Sequence, residues 1–207
     1  NSMKRPLVPV VLFSIVGLIV LLHFFFHPVR VLDMETSIFY MDEKVTLAAY
    51  FSQVVAFVTG FLALYQVLPR IKQRIDKLLM AGYGLFFLIL SFDEYFEVHE
   101  SLNTAVKIAL ASEGILGKLA HISWIFPLAL IIVAVYGLFF AQIIREKQKI
   151  ARWWMIAGMM SFGVVLVFEL LGSVTYGQSI YLAFVGIEEG LEMAGAVCFL
   201  TALTEKV

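Results

Sequence analysis

Residues 153–176 read WWMIAGMMSFGVVLVFELLGSVTY, and this segment decides the fold class. It carries a single charged side chain, Glu169. Wound as a helix at 1.5 Å per residue it reaches about 36 Å, more than the roughly 30 Å hydrocarbon core of a bilayer. Working outward, five more apolar segments of span length lie near 7–27, 45–68, 78–100, 121–143 and 180–204. The expectation is an all-α integral membrane bundle of six transmembrane helices forming one domain over residues 1–207. The composition agrees: 61% of residues are apolar and 15% charged, with a mean hydropathy of +0.93. Soluble chains sit near 45–50% and 25%. That excludes a soluble enzyme, a disordered tail and a nucleic-acid binder. The strict alternation of a β-barrel is missing. The first apolar run leads into His23 and Phe24 through Pro28 rather than a small-residue cleavage site, so it reads as a retained span. The lone Cys198 has no intrachain partner.

The net charge is only −1, but its distribution is uneven. Lys4 and Arg5 precede the first span. Arg70, Lys72, Arg74 and Lys77 lie between the second and third, and Arg145, Lys147, Lys149 and Arg152 between the fourth and fifth. Lys206 follows the sixth. Eleven of the 15 basic residues therefore share one face of a six-span chain. The positive-inside rule makes that face cytoplasmic and puts both termini there. A multi-pass protein of the cell inner (plasma) membrane is expected. All four histidines, and every acidic residue except Asp76, Glu146 and Glu205, fall toward the opposite, outer side.

Eight acids lie inside the expected spans: Asp93, Glu94, Glu97 and Glu100 in the third, Glu169 in the fifth, and Glu188, Glu189 and Glu192 in the sixth. A charge in hydrocarbon costs about 2.5–3.5 kcal/mol on insertion scales. At about 100° per residue, Asp93, Glu97 and Glu100 share one helix face, and Glu188, Glu189 and Glu192 share another. Glu169 and Glu188 both fall on the order of 10–12 Å below the outer surface. Carboxylates this close need compensation. A divalent metal supplies it: Fe, Mn or Zn suit carboxylates mixed with imidazole, and Ca or Mg an all-oxygen set. The expected ligands are Asp93, Glu97, Glu100, Glu169, Glu188 and Glu192, with His23, His27, His99 and His121. Glu94 and Glu189, each about 100° from the first acid of its helix, are the candidate catalytic bases at the cluster's edge.

The run Ser91-Phe92-Asp93-Glu94-Tyr95-Phe96-Glu97-Val98-His99-Glu100 resembles a helix of uncharacterised bacterial multi-pass membrane proteins with an Asp-Glu-x4-His-Glu pattern. That resemblance covers one motif and implies no activity. The ligand chemistry is similar to that of ferritin-like di-metal bundles, which use Glu-x-x-His pairs. Here Glu97/Glu100 and Glu189/Glu192 are Glu-x-x-Glu, so imidazole must come from elsewhere.

These features point to a metal-dependent membrane hydrolase or di-metal oxidase acting on a lipid-like substrate. A divalent-cation or proton-coupled transporter, or a metal sensor or assembly protein, are the rival readings. No P-loop, Gly-x-Ser-x-Gly, His-Glu-x-x-His or Cys-x-x-Cys occurs. Trp124, Trp153 and Trp154 suit the aromatic belts at the interfaces. Gly186, Gly190 and Ala194 form a small-residue ridge suited to close approach by a neighbouring helix or by the second subunit of a homodimer.

Overall fold

The structure, a computed structural model, describes residues 7–26, 46–96, 125, 128–175 and 180–206. Among the described residues it is all-helical, with six α-helices and no strand. They are α1 (Leu7–Phe26), α2 (Leu47–Leu62), α3 (Arg74–Phe96), α4 (Ala129–Arg145), α5 (Lys149–Thr175) and α6 (Tyr181–Thr204).

Four stretches are long and apolar enough to cross a membrane: Leu7–Phe25, Leu47–Arg70, Arg74–Phe96 and Lys149–Gly172. The other two expected spans differ for identifiable reasons. Helix α4 has 17 residues, about 25 Å, which is short of the hydrocarbon core. Helix α6 has 24 residues, but Glu188, Glu189 and Glu192 sit so centrally that they fall in any 18-residue window of it.

Local chemistry sets the ends. Thr46 caps α2: its backbone is extended, and its buried hydroxyl accepts the Ala49 N–H at 3.0 Å. The helix then widens into a π turn over Ala63–Val67 and tightens into a 3-10 turn over Leu68–Arg70. Pro69 explains the change. It has no N–H to offer the carbonyl four residues back, and its ring crowds that carbonyl. The ladder shifts register, and the Leu68 N–H reaches Ala63 O. No such interruption was expected from the hydropathy pattern.

Helix α6 is the centre of the bundle. It packs most extensively on α5 and also against α2 and α1, while α2 packs on α3 and α4 lies against α3 and α5. Gly60 and Gly84 let α2 and α3 touch backbone to backbone; a Cβ on Gly60 would stand 2.8 Å from Gly84 O. The small-residue ridge of α6 is occupied by α1 of the same chain. A Cβ on Gly186 would meet His23 Cδ2 at 2.7 Å, and one on Gly190 would meet Val20 Cγ2 at 2.8 Å.

The half of the bundle nearer the basic residues is filled by rings. Phe199 is fully buried and lies 4.8 Å from Phe139, 5.2 Å from Phe87, 5.6 Å from Phe162 and 5.8 Å from Tyr83 between ring centres. The Tyr83 hydroxyl donates to Phe199 O at 3.2 Å. At the same end, polar contacts tie the helix termini together. Arg145 pairs with Asp76 and bonds Gln73 Oε1 at 3.1 Å. Lys206 Nζ lies 2.5 Å from Glu146 Oε2. Every described Lys and Arg belongs to this end.

Candidate functional site

The acids of α3, α5 and α6 gather at the other end. Asp93 and Glu94 occupy the last turn of α3, Glu169 lies six residues before the end of α5, and Glu188 seven residues into α6. The last two are thus about 9–10 Å inside their helix ends. All six described acids at this end are half-buried.

Two direct contacts organise them. The Glu94 carboxyl hydrogen-bonds the Glu192 carboxyl, joining α3 to α6. The Glu188 carboxyl hydrogen-bonds the Glu169 carboxyl, joining α6 to α5. Glu189 interacts electrostatically with both Glu94 and Glu188, and Asp93 with Glu94. A carboxylate has only acceptors, so two carboxyls can meet only around a shared proton or a cation. Gly172 of α5 lies beside Glu188: a Cβ added there would sit 3.9 Å from Glu188 Oε2, an ordinary contact distance.

A repeated spacing aims the acids at one another. Glu94 follows Phe87 by seven residues, Glu169 follows Phe162 by seven, and Glu192 precedes Phe199 by seven. Seven residues return to nearly the same helix face, displaced about 10 Å along the axis. Phe87, Phe162 and Phe199 are in mutual contact, with ring centres 5.2–6.5 Å apart. The three acids therefore share the inter-helix axis that the three rings define, two turns farther out. The rings form a packed apolar floor below the carboxyls.

His23 closes the α1 side. It is buried to 1% exposure. Its Nε2 lies 3.3 Å from Leu182 O at the start of α6, and its ring meets Phe24 edge-on at 5.2 Å. It stands against Gly186, three residues before Glu189.

A family described as a domain of unknown function, DUF8692, matches residues 7–206. The chain belongs to the DUF8692 family. No curated protein and no solved structure matches it.

In this DUF8692 chain the expected site residues separate into three groups. Glu94, Glu169, Glu188, Glu189 and Glu192 come together, with Asp93 beside Glu94. His23 is placed at the α1–α6 contact. His27, Glu97, His99, Glu100 and His121 lie outside the described residues. Among the described residues no three His, Cys, Asp or Glu side chains form a group that holds a metal ion. Glu94 is not at the margin, where counting rotation from Asp93 puts it. It is engaged by Glu192 and Glu189 of α6.

The aromatic floor was not anticipated from the sequence. The floor had a readable signal, the seven-residue Phe–acid interval repeated on three helices.

Proposed function

We propose that the chain crosses the cell inner (plasma) membrane six times with both termini in the cytoplasm. We further propose that its outer-half carboxyl cluster binds a divalent metal, Fe, Mn or Zn, and serves as a metal-dependent hydrolase or di-metal oxidase acting on a lipid-like substrate. The observation that carries the reading is the pairing of Glu94 with Glu192 and of Glu169 with Glu188, which brings carboxyls of three helices into contact inside an apolar bundle. Oxygen donors from separate helices suit a hard or borderline divalent ion.

Each residue then has a task. Glu94, Glu169, Glu188 and Glu192 would hold the ion, with Asp93, Glu97, Glu100 and the histidines as the further donors. Glu189, which interacts with both Glu94 and Glu188, would accept a proton from the attacking water. His23 fixes the start of α6 through the Leu182 carbonyl and so positions Glu188 and Glu189. A bound divalent metal supplies Lewis acidity and lowers the pKa of water.

The aromatic floor favours catalysis over transport. A carrier must show its site to both faces, whereas Phe87, Phe162 and Phe199 fill the axis two turns below the acids. The test is uptake of radioactive Zn, Mn and Fe by proteoliposomes. The enzyme reading expects no saturable flux. Flux in the wild type that is lost in Glu192→Gln would overturn it in favour of a carrier.

A further inference from the structure

At the opposite end of the bundle, a groove of about 510 Å³ opens between the 3-10 turn Leu68–Arg70 and the start of α3. Its walls are Leu68 and Pro69 on one side and Arg74, Lys77, Leu78 and Ala81 on the other. The size falls within the roughly 300–1,000 Å³ of small-ligand sites. We propose that this groove binds an anionic phospholipid, with Arg74 and Lys77 on its phosphate and an acyl chain along Leu78 and Ala81.

The helix geometry makes the match. Relative to Arg74, residues 77, 78 and 81 lie at about −60°, +40° and −20° around the axis, so all four share one face. Along that face the chemistry changes in order. Two cations come first, then two apolar side chains, over a rise of about 10 Å from residue 74 to residue 81. A phospholipid has the same sequence, charge and then hydrocarbon, along its length. A soluble anion uses only the first half.

The cations are available. Arg74, Lys77 and Leu78 are exposed. Among the described residues neither Arg74 nor Lys77 takes part in an ion pair. The one acid of this segment, Asp76, points elsewhere and pairs with Arg145 on α4. Gln73 is drawn to the same arginine. The other wall is stiff, because Leu68–Arg70 is a 3-10 turn with Pro69 fixed in it. Basic pockets between helices at a membrane interface are suited to lipid headgroups. The site is independent of the carboxyl cluster, which lies at the other end.

Native mass spectrometry of the full chain in detergent, titrated with phosphatidylglycerol and phosphatidylcholine, tests this. Phosphatidylglycerol should bind more tightly. Arg74→Gln/Lys77→Gln should weaken it on the order of thirty-fold, from the usual contribution of each basic residue near an anionic lipid. Lys147→Gln/Lys149→Gln removes the same charge from the same end outside the groove and should change affinity less than about three-fold, well below the contribution of two such residues. Arg74→Lys keeps the charge and should keep the lipid. Equal losses in the two double variants would overturn the proposal in favour of diffuse attraction. Equal affinity for the two lipids would also overturn it. So would displacement of the lipid by glycerophosphoglycerol at matching concentration, since the acyl chain would then contribute nothing.

Discussion

Replacing Gly60 by Ala tests the helix contact that sets α3 against its neighbours. A Cβ at position 60 would stand 2.8 Å from Gly84 O and 2.8–2.9 Å from Leu88 Cγ and Cδ2. Leu88 has rotamers to try; Gly84 O is backbone and does not. Restoring ordinary carbon–oxygen contact requires α2 and α3 to separate by about half an ångström, and a packed interface resists that. Overpacking of this kind costs about 1–3 kcal/mol. Alanine returns about 0.5–1 kcal/mol through helix propensity. The net is a destabilisation of up to about 2.5 kcal/mol, a fall in melting temperature of up to roughly 10 °C for a chain of this size. Gly137→Ala is the matched control, because nothing lies within 4 Å of its added Cβ; it should leave stability unchanged or raise it slightly. Thermal unfolding in one detergent, followed by circular dichroism, compares the two. If Gly60→Ala is as stable as Gly137→Ala, the α2–α3 contact is wrong. The placement of Glu94, which depends on α3, would then lose its support.

Three further outcomes follow from the same geometry. Phe199→Ala should cost about 3 kcal/mol, the lower end for a buried aromatic, because lipid rather than water receives the exposed ring; chemical denaturation in detergent measures it. Gly186→Ala should push His23 away from α6, since the new Cβ would lie 2.7 Å from its Cδ2, costing about 1–3 kcal/mol in the same assay. Single cysteines at Gln73, Thr104 and Gln148 should label from the cytoplasm at 73 and 148 and from outside at 104; cytoplasmic labelling of 104 would invert the orientation.

The sequence made the class of the fold legible because hydropathy and length act locally. Residues 153–176 have few options other than a buried or membrane helix, and α5 runs over Lys149–Thr175. Ends were less legible where a single residue overrides the pattern. Thr46 starts α2 through its hydroxyl, and Pro69 forces the π turn. The acids' shared depth was readable from residue counting. Their pairing was not. Rotation around one helix predicts a face, but the partner on that face depends on how two helices cross. That Glu94 meets Glu192 is a fact of the α3–α6 crossing and not of either helix alone. The small-residue ridge was visible as a ridge; that α1 fills it depends on tertiary packing.

Elemental analysis of the protein purified without added metal, and again after dialysis against Mn, Fe and Zn, tests the central claim most directly. The account predicts at least one divalent ion per chain in the wild type. Occupancy should fall strongly in Glu94→Gln and Glu192→Gln, which break the α3–α6 carboxyl pair. It should be unchanged in Glu205→Gln, an acid at the basic end of the bundle. A wild-type chain that takes up no divalent ion at neutral pH, or Gln variants that bind as fully as the wild type, would contradict it and leave the carboxyls as proton-sharing pairs.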